Sequence, residues 1–226
     1  MDVFIKSTKF PLEKDGNLIA IVWPGLTAFV DFFSDKAFDF WSQGLDALYE
    51  LMPFDGLWLD MNEPSNFCVD SAEKSIGECY KLPPPKDSYD SVSSFARSAA
   101  VGDSPVQAGE FDNIPFVPGN GALYNKTLSM DAYFKDKDDN KTFVMYNIHN
   151  LYGTLETMMT HKYLTQSKFD NKRPLIISRD SFVGHGQYGS IWTGDNDATL
   201  EHLSLSMHQI MSFNMFGMPF VGGDIC

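Results

Sequence analysis

The stretch FDGLWLD (residues 54–60) is an apolar run that ends in a carboxylate. Three further apolar runs end in a charged residue, with Gly or Pro close to their boundaries: RPLIISR (173–179), GSIWTGD (189–195) and MPFVGGD (218–224). Short runs of this kind are typical of buried parallel strands, and their polar carboxyl ends face a binding site. A fifth run, NLIAIVWPG (17–25), is similar but less regular, and we expect it to be a fifth strand of the same sheet.

Apolar residues at helical spacing lie between these runs. Steps of three and four residues predict helices near 38–52, 151–163 and 200–214. Gly217, followed by Pro219, predicts the end of the third helix. Strands that alternate with helices favour an α/β architecture with a parallel sheet.

Residues 64–147 break this rhythm. The segment contains three consecutive prolines, many Ser and Asp residues, and little periodicity. We expect it to be a long loop excursion on the face where the strands end, since loops of this length are usually functional or disordered.

Composition limits the classes of partner. The chain has 226 residues, 43% of them hydrophobic, and a formal net charge of −13, so it is expected to be globular and to repel phosphate backbones and anionic lipids. We therefore expect no nucleic-acid partner. No stretch approaches the roughly 18 apolar residues of a membrane span, and the first ten residues lack the pattern of a secretory signal.

Two features hint at an oxidising compartment without deciding it. Cys68 and Cys79 would close a loop worth about 3 kcal/mol if they were oxidised. Asn125 and Asn140 each begin an Asn-Lys-Thr triplet, the acceptor pattern for N-glycosylation.

The acids that end two of the runs are candidates for catalysis. Asp60 and Asp195 each follow an apolar strand. Glycoside cleavage uses two carboxyl groups, one that attacks the anomeric carbon or activates water and one that protonates the departing oxygen. On spacing alone, helix caps or solvated loop acids are the favoured interpretation of the two residues.

Longer motifs carry a resemblance to a known family. VWPGLTAF, FDGLWLDMNEPSNF, HNLYG, ISRDSFVGHGQYGSIWTGDN and PFVGGDIC occur in that order. From about residue 19 to its end, the chain resembles the family 31 glycoside hydrolases of the acid α-glucosidase, maltase and sucrase-isomaltase type. The resemblance implies an α/β fold, an incomplete (β/α)8 TIM barrel of about strands 3 to 7, with a long insertion after strand 4.

The resemblance also implies catalytic roles. It makes Asp60 in WLDMNE the nucleophile and Asp195 in WTGDN the acid/base of a retaining α-glucosidase that forms a covalent glucosyl-enzyme. Arg179 matches an arginine of the substrate pocket and would keep a neighbouring nucleophile ionised. The alternative for Arg179 is a strand-end ion pair with Asp180 or Glu63.

Further pocket residues follow from the same resemblance. Trp23 and Trp192 match aromatic residues that form the wall of the glucose pocket, although without it each would be interpreted as a core tryptophan. Met61, beside the nucleophile, is expected to line the pocket. Asp224 matches a pocket acid, with the alternative that it holds the arginine or a tryptophan in place.

Three residues are candidates for supporting the pocket without contacting sugar. Glu63 and its neighbour Asn62 are expected to lie behind the groups that contact sugar. His185 has glycine neighbours that allow unusual backbone geometry near the pocket, and a loop-anchoring role explains it equally well.

Departures from the family pattern limit these expectations. The earlier barrel strands and the final strand, which brings a substrate histidine, are not recognisable, so we expect residues 1–226 to be a partial catalytic barrel, poorly stable and inactive alone. Asp180 stands where a small polar residue is usual and could weaken the arginine's hold on the nucleophile. Ser129 stands where relatives carry a cysteine, so the usual disulfide of that loop is absent or replaced by Cys68 with Cys79. Cys226 resembles a cysteine whose partner lies beyond the chain.

The resulting hypothesis is hydrolysis of terminal α-linked glucose from oligosaccharides or glycogen-like and starch-like polymers. It requires no cofactor and no metal. The resemblance implies a lysosomal or secreted glycoprotein. Two alternatives are a carbohydrate-binding paralogue without turnover, and an α-glycosidase of different sugar specificity such as an α-xylosidase.

Overall fold

In the computed structural model, residues 2–7, 12–14, 16–23, 25–67, 109–116, 123–135 and 142–224 are described. The chain divides into two compact units. The N-terminal unit comprises Met1–Ala37 and Pro64–His149, and the sheet unit comprises Phe38–Glu63 and Asn150–Cys226.

Nine strands and four helices occur within the described residues. The strands are β1 Leu12–Lys14, β2 Asn17–Val22, β3 Gly25–Ala28, β4 Gly56–Leu59, β5 Tyr133–Lys135, β6 Thr142–Val144, β7 Leu175–Ser178, β8 Ser190–Trp192 and β9 Val221–Gly222. The helices are α1 Ala37–Leu51, α2 Met145–Ile148, α3 Tyr152–Tyr163 and α4 Leu200–Met215. Short 3₁₀ turns occur at Phe111–Asn113, His149–Leu151 and His185–Gln187, and a π-helical turn, Leu164–Lys168, extends α3.

The N-terminal unit is built from antiparallel pairs. Strands β1, β2 and β3 form one sheet in that order, and β5 pairs with β6. Its core contains apolar side chains that are at most 3% exposed, among them Val3, Ile5, Leu18, Phe32 and Phe134. The described parts of the predicted excursion are therefore structured, and they share this core with the first residues of the chain.

The prediction of a parallel strand at 17–25 is wrong. β2 pairs with β3 in antiparallel register, Val22 opposite Gly25, so only two residues separate the strands. Gly25 adopts φ +104°, a conformation that glycine enters without steric cost. Such a short connection joins antiparallel strands, whereas parallel strands need a long crossover.

The sheet unit contains the parallel sheet. Its order is β4-β7-β8-β9, and every neighbouring pair is parallel. The four other predicted strands are thus confirmed, as are the three predicted helices. α4 ends at Met215, and Gly217 beyond it adopts φ +82°, as the Gly-Pro signal predicted.

One face of the sheet carries the core of this unit. Leu59 of β4 and Ile176 of β7 pack with Leu45 of α1 and with Tyr163 and Leu164 at the end of α3. The opposite face is open: Trp58 is 59% exposed. Because side chains alternate along a strand, one apolar run supplies both a helix-covered face and an open face.

The predicted apolar stripe of α4 is not buried. Leu200, Leu203, Met207 and Ile210 are 40–85% exposed.

Among the described residues, no helix combines the length and the hydropathy needed to cross a bilayer.

We predict that Ile176→Ala lowers the free energy of unfolding by about 2–5 kcal/mol, because Ile176 is 1% exposed and its truncation leaves a cavity. Urea denaturation measures the loss. Leu175→Ala on the same strand is the matched control, since Leu175 is 50% exposed, and its cost should stay below about 1 kcal/mol. Equal losses for the two variants would contradict the assignment of the buried face.

Candidate active site

The ends of four parallel strands deliver charged residues to one edge of the sheet unit. Asp60 follows β4, Arg179 follows β7, Asp195 lies three residues after β8, and Asp224 lies two residues after β9. Parallel strands in neighbouring register bring their carboxyl ends to the same side, where enzymes of this architecture place their chemistry.

Arg179 is the cation at this edge. Its Nη1 lies 3.0 Å from Asp60 Oδ1, while Nε and Nη2 donate to the two carboxylate oxygens of Glu63 at 2.5 and 3.3 Å. Burial lowers the pKa of Arg179, but the hydrogen bonds and charge of Glu63 and the charges of Asp60 and Asp195 outweigh it, so the pKa is raised. The structure therefore contains both the contact to Asp60 and the strand-end ion pair with Glu63 that were considered as alternatives.

Asp60 is oriented by the turn that follows it. Met61 adopts φ +59°, a left-handed conformation that is uncommon for a residue with a side chain. In this conformation the Met61 N–H donates to Asp60 Oδ1 at 2.7 Å. The Asp60 side chain remains 33% exposed, so the carboxylate is accessible to a ligand although Met61 and Arg179 hold it.

Asp195 is exposed and follows a glycine turn. Gly194 has φ +88°, and a Cβ placed there would lie 3.7 Å from Arg179 Cδ. The carbonyl of Gly194 accepts a hydrogen bond from the Asp224 N–H at 3.2 Å. The strand end that carries Asp195 thus lies against Arg179 and is tied to the next strand.

Two tryptophans line a cavity on the open face of the sheet. Trp58 and Trp192 meet edge to face, with ring centroids 5.0 Å apart, and Trp192 Nε1 donates to Asp224 Oδ1 at 2.8 Å. The Arg179 guanidinium carbon lies 5.4 Å from the centroid of the Trp192 ring. A cavity of about 600 Å³ is bordered by Trp58, Ile177, Ile191, Trp192, Phe220 and Asp224, among others.

Sequence reasoning missed Trp58. The signal was available, because residues two apart on a strand share a face, and Trp58 therefore lies on the face of Asp60. The bond from Trp192 supports the alternative given for Asp224, that it holds a tryptophan in place.

Trp23 belongs to the N-terminal unit. It is 77% exposed and meets Phe67 edge to face at 4.9 Å. Its role in the pocket stays a prediction. So does glycosylation at Asn125, which lies in a turn of the same unit. Four other residues that the sequence singled out lie outside the described residues: Cys68, Cys79, Asn140 and Cys226.

His185 is fully buried. Its Nδ1 lies 3.3 Å from Thr154 Oγ1 on α3, and its Nε2 lies 3.4 Å from the Ser190 carbonyl on β8. Burial lowers the pKa of His185, which favours the neutral ring. This geometry supports the loop-anchoring interpretation.

A pair of acids that sequence reasoning did not connect lies behind the strand ends. Asp180 Oδ2 accepts the Gly153 N–H at 3.2 Å, near the start of α3, and Glu156 follows within the first turns of that helix. Burial, together with the negative charge of Glu63, raises the pKa of Asp180 to about 7. Burial, with the charges of Asp180 and Glu63, raises the pKa of Glu156 to about 7.

The raised pKa values predict a pH-dependent stability. An unfolded carboxyl group titrates near pH 4, so between about pH 4 and 7 the folded state binds more protons than the unfolded state, and the free energy of unfolding falls as pH rises. The decline is the contribution of these two groups, and it is measured by comparing the urea midpoints of wild type and variants from pH 4 to 8.

Asp180→Asn and Glu156→Gln should each make the decline shallower, and the double variant more so, because each removes one titrating group. Parallel profiles for wild type and double variant would contradict burial of the pair.

Among the described residues, no group of three or more His, Cys, Asp or Glu side chains is arranged to hold a metal ion.

Comparisons with known proteins agree on one family. The family model described as "Glycosyl hydrolases family 31 TIM-barrel domain" matches residues 2–226. Lysosomal alpha-glucosidase of Rattus norvegicus is 35% identical over 216 residues, which cover 95% of this chain and 19% of the rat protein. Alpha-xylosidase 1 of Arabidopsis thaliana is 35% identical over 230 residues, which cover 100% of this chain and 23% of the plant protein.

A solved structure has the same fold. The alpha-1,4-glucan lyase of Gracilariopsis lemaneiformis, in a covalent intermediate complex with 5-fluoro-idosyl-fluoride, superposes with a TM-score of 0.67 at 18% identity, over 99% of this chain and 21% of the lyase. The chain spans about a fifth of the length of these relatives. The sheet of four parallel strands agrees with the family model, which matches residues 2–226. The chain therefore belongs to glycosyl hydrolase family 31 and matches the TIM-barrel domain of that family.

Proposed function

We propose that the gene product containing this chain is a retaining α-glucosidase that removes terminal α-linked glucose from oligosaccharides. One observation carries the proposal: Asp60 is held 3.0 Å from Arg179 at a strand end, and the Arg179 guanidinium carbon lies 5.4 Å from the ring of Trp192, which lines a cavity together with Trp58. A carboxylate fixed by a cation that itself lies against an aromatic wall suits attack on a neutral sugar.

Glucosylation is the first half of the reaction. The Asp60 carboxylate attacks the anomeric carbon while Asp195 donates a proton to the glycosidic oxygen. The bond between the anomeric carbon and the glycosidic oxygen breaks. The shortened sugar leaves as an alcohol, and glucose remains as an ester of Asp60. Arg179 ion-pairs with Asp60 and keeps its carboxylate oriented, and this cation is itself held by the two hydrogen bonds to Glu63.

Deglucosylation reverses the proton transfer. Asp195, now a carboxylate, takes a proton from water as the water oxygen attacks the anomeric carbon. Glucose is released, Asp60 returns as a carboxylate, and Asp195 is protonated again. Apart from water and the sugar, only side chains of the protein take part, so we expect no cofactor and no metal.

Aromatic side chains would bind the glucose unit. The indole of Trp192 is fixed by Asp224, and Trp58 extends the apolar wall, so both rings are available to the C–H faces of a sugar. Met61 follows the nucleophile directly, and we include it among the groups that contact glucose.

The relatives support the proposed substrate class and compartment. Several are α-glucosidases by name, which supports α-glucoside oligosaccharides or glycogen-like polymers as substrates. Similarity to the rat lysosomal enzyme supports a lysosomal or secreted location. The net charge of −13 disfavours nucleic acid as a partner.

An α-xylosidase is the second candidate, because the plant relative of that name aligns with the whole chain at 35% identity. A comparison of kcat/KM on p-nitrophenyl α-glucoside and α-xyloside decides between them. Preference for the glucoside supports the proposal, and preference for the xyloside supports the alternative. A carbohydrate-binding paralogue would hydrolyse neither.

We predict that Asp60→Asn abolishes labelling by 5-fluoro-α-glucosyl fluoride, because the amide cannot form the glucosyl ester. In the wild-type gene product, peptide mass mapping should place the label on Asp60. Label on another residue, or none on an enzyme that turns over maltose, would contradict the assignment.

Asp195→Asn should lower kcat/KM on maltose by about 10²–10⁴-fold. The loss on α-glucosyl fluoride should be much smaller, since fluoride leaves without a proton. Asp197→Asn is the matched control, an exposed acid of the same loop that should retain wild-type activity. Equal losses on both substrates would exclude Asp195 as the acid.

A further inference from the structure

Asn62 is a buried polar residue two positions after the proposed nucleophile. It is 3% exposed, and its carboxamide makes bonds to both neighbours of Arg179. Nδ2 donates to Ser178 Oγ at 2.8 Å, and Oδ1 accepts the Asp180 N–H at 3.2 Å. Ser178 Oγ in turn donates to the Asp180 carbonyl at 2.8 Å. One side chain on the β4 loop thus binds the Ser178 hydroxyl before the arginine and the Asp180 backbone N–H after it.

The start of α3 completes the contact. Burial raises the pKa of Glu156 on α3, and the side chain of Asn62 partly offsets this shift. A Cβ at Gly153 would lie 2.8 Å from the Asn62 backbone carbonyl and 2.6 Å from Asp180 Cβ, so the absence of a side chain there lets the helix approach both loops. Three elements therefore meet at Asn62: the loops after β4 and β7, and α3.

The same residue determines the conformation that precedes it. Met61 is left-handed, and a residue with a side chain keeps that conformation only when its surroundings enforce it. With Asn62 anchored on one side and β4 paired on the other, the Met61 peptide has little freedom. Its N–H is thereby directed at Asp60 Oδ1.

We propose that Asn62 is a positioning residue that sets Asp60 and Arg179 in the geometry for attack, through the Met61 peptide on one side and through Ser178 and Asp180 on the other. This inference rests on the proposed function. The carboxamide suits the role because it donates and accepts at once, whereas an aspartate could not donate to Ser178 and a serine is too short to reach all its partners.

The test is Asn62→Ser in the full-length gene product, with kcat, KM and the rate of labelling by 5-fluoro-α-glucosyl fluoride measured per folded molecule. Misplacement of reacting groups by about 1 Å can cost 10²-fold in rate. We expect kcat and the labelling rate to fall by about 10²-fold while KM changes less than about 3-fold.

Asn66→Ser is the matched control. Asn66 is 1% exposed and bonds to the Ile21 N–H and the Thr127 carbonyl in the N-terminal unit, so its loss costs stability without touching the Asp60 turn. Its kcat per folded molecule should match wild type. A folded Asn62→Ser protein with wild-type kcat and labelling rate overturns the proposal.

Ser178→Ala decides the question if Asn62→Ser does not fold. It removes one partner of the carboxamide and leaves the Asp180 N–H bonded, so we expect a loss of the same kind, about 10-fold in kcat with KM little changed. Unchanged kcat in Ser178→Ala overturns the proposal. A wild-type protein that neither hydrolyses α-glucosides nor becomes labelled contradicts the proposed function instead, so the two failures are distinguishable.

Discussion

The guanidinium of Arg179 holds together the acidic groups at the ends of the parallel strands. Asp60 and Glu63 leave the same β4 loop, and both ion-pair with this cation. Without the cation, two carboxylates of one short turn would repel each other, and a third charge, that of Asp195, would add to the repulsion. Partial burial strengthens these interactions, because water screens charges less within a fold than at an open surface. The rest of the strand-end geometry depends on this pairing.

The ion pairs of Arg179 are accompanied by destabilising burial of two further carboxyl groups. Asp180 and Glu156 bring two more carboxyl groups close to Glu63, and burial favours their neutral forms near pH 7. One oxygen of Glu156 is buried without a hydrogen-bond partner in the structure. Burying polar groups in this way lowers stability, and such costs are often found at functional sites, where geometry takes precedence over folding free energy.

Much of the fold could be predicted because local pattern and tertiary environment agree. The four runs that end at Asp60, Arg179, Asp195 and Asp224 are parallel strands, since continuous apolar sequence fits a sheet whose helix-covered face is buried and whose open face lines a cavity. The prediction of a parallel strand at 17–25 was wrong because composition indicates burial but not strand direction. Direction is set by the connection, and a two-residue turn joins an antiparallel pair. The candidate acids were identified from motif context, while Glu156 was not, because its partners lie in distant parts of the chain and no spacing rule links them. The bonds of Asn62 to Ser178 and Asp180 were hidden in the same way.

Gly153 shows how far the influence of the site extends along the chain. It is more than ninety residues from Asp60 in sequence and carries no functional group, yet the space beside its Cα is already filled by Asp180 and the Asn62 backbone. When natural variants of this domain are interpreted, even alanine at this position should be classed with changes to the active site, because it would push α3 away from the loops that carry Asp60 and Arg179. A scale of residue similarity would score that exchange as mild. The packing around the glycine argues for the opposite ranking.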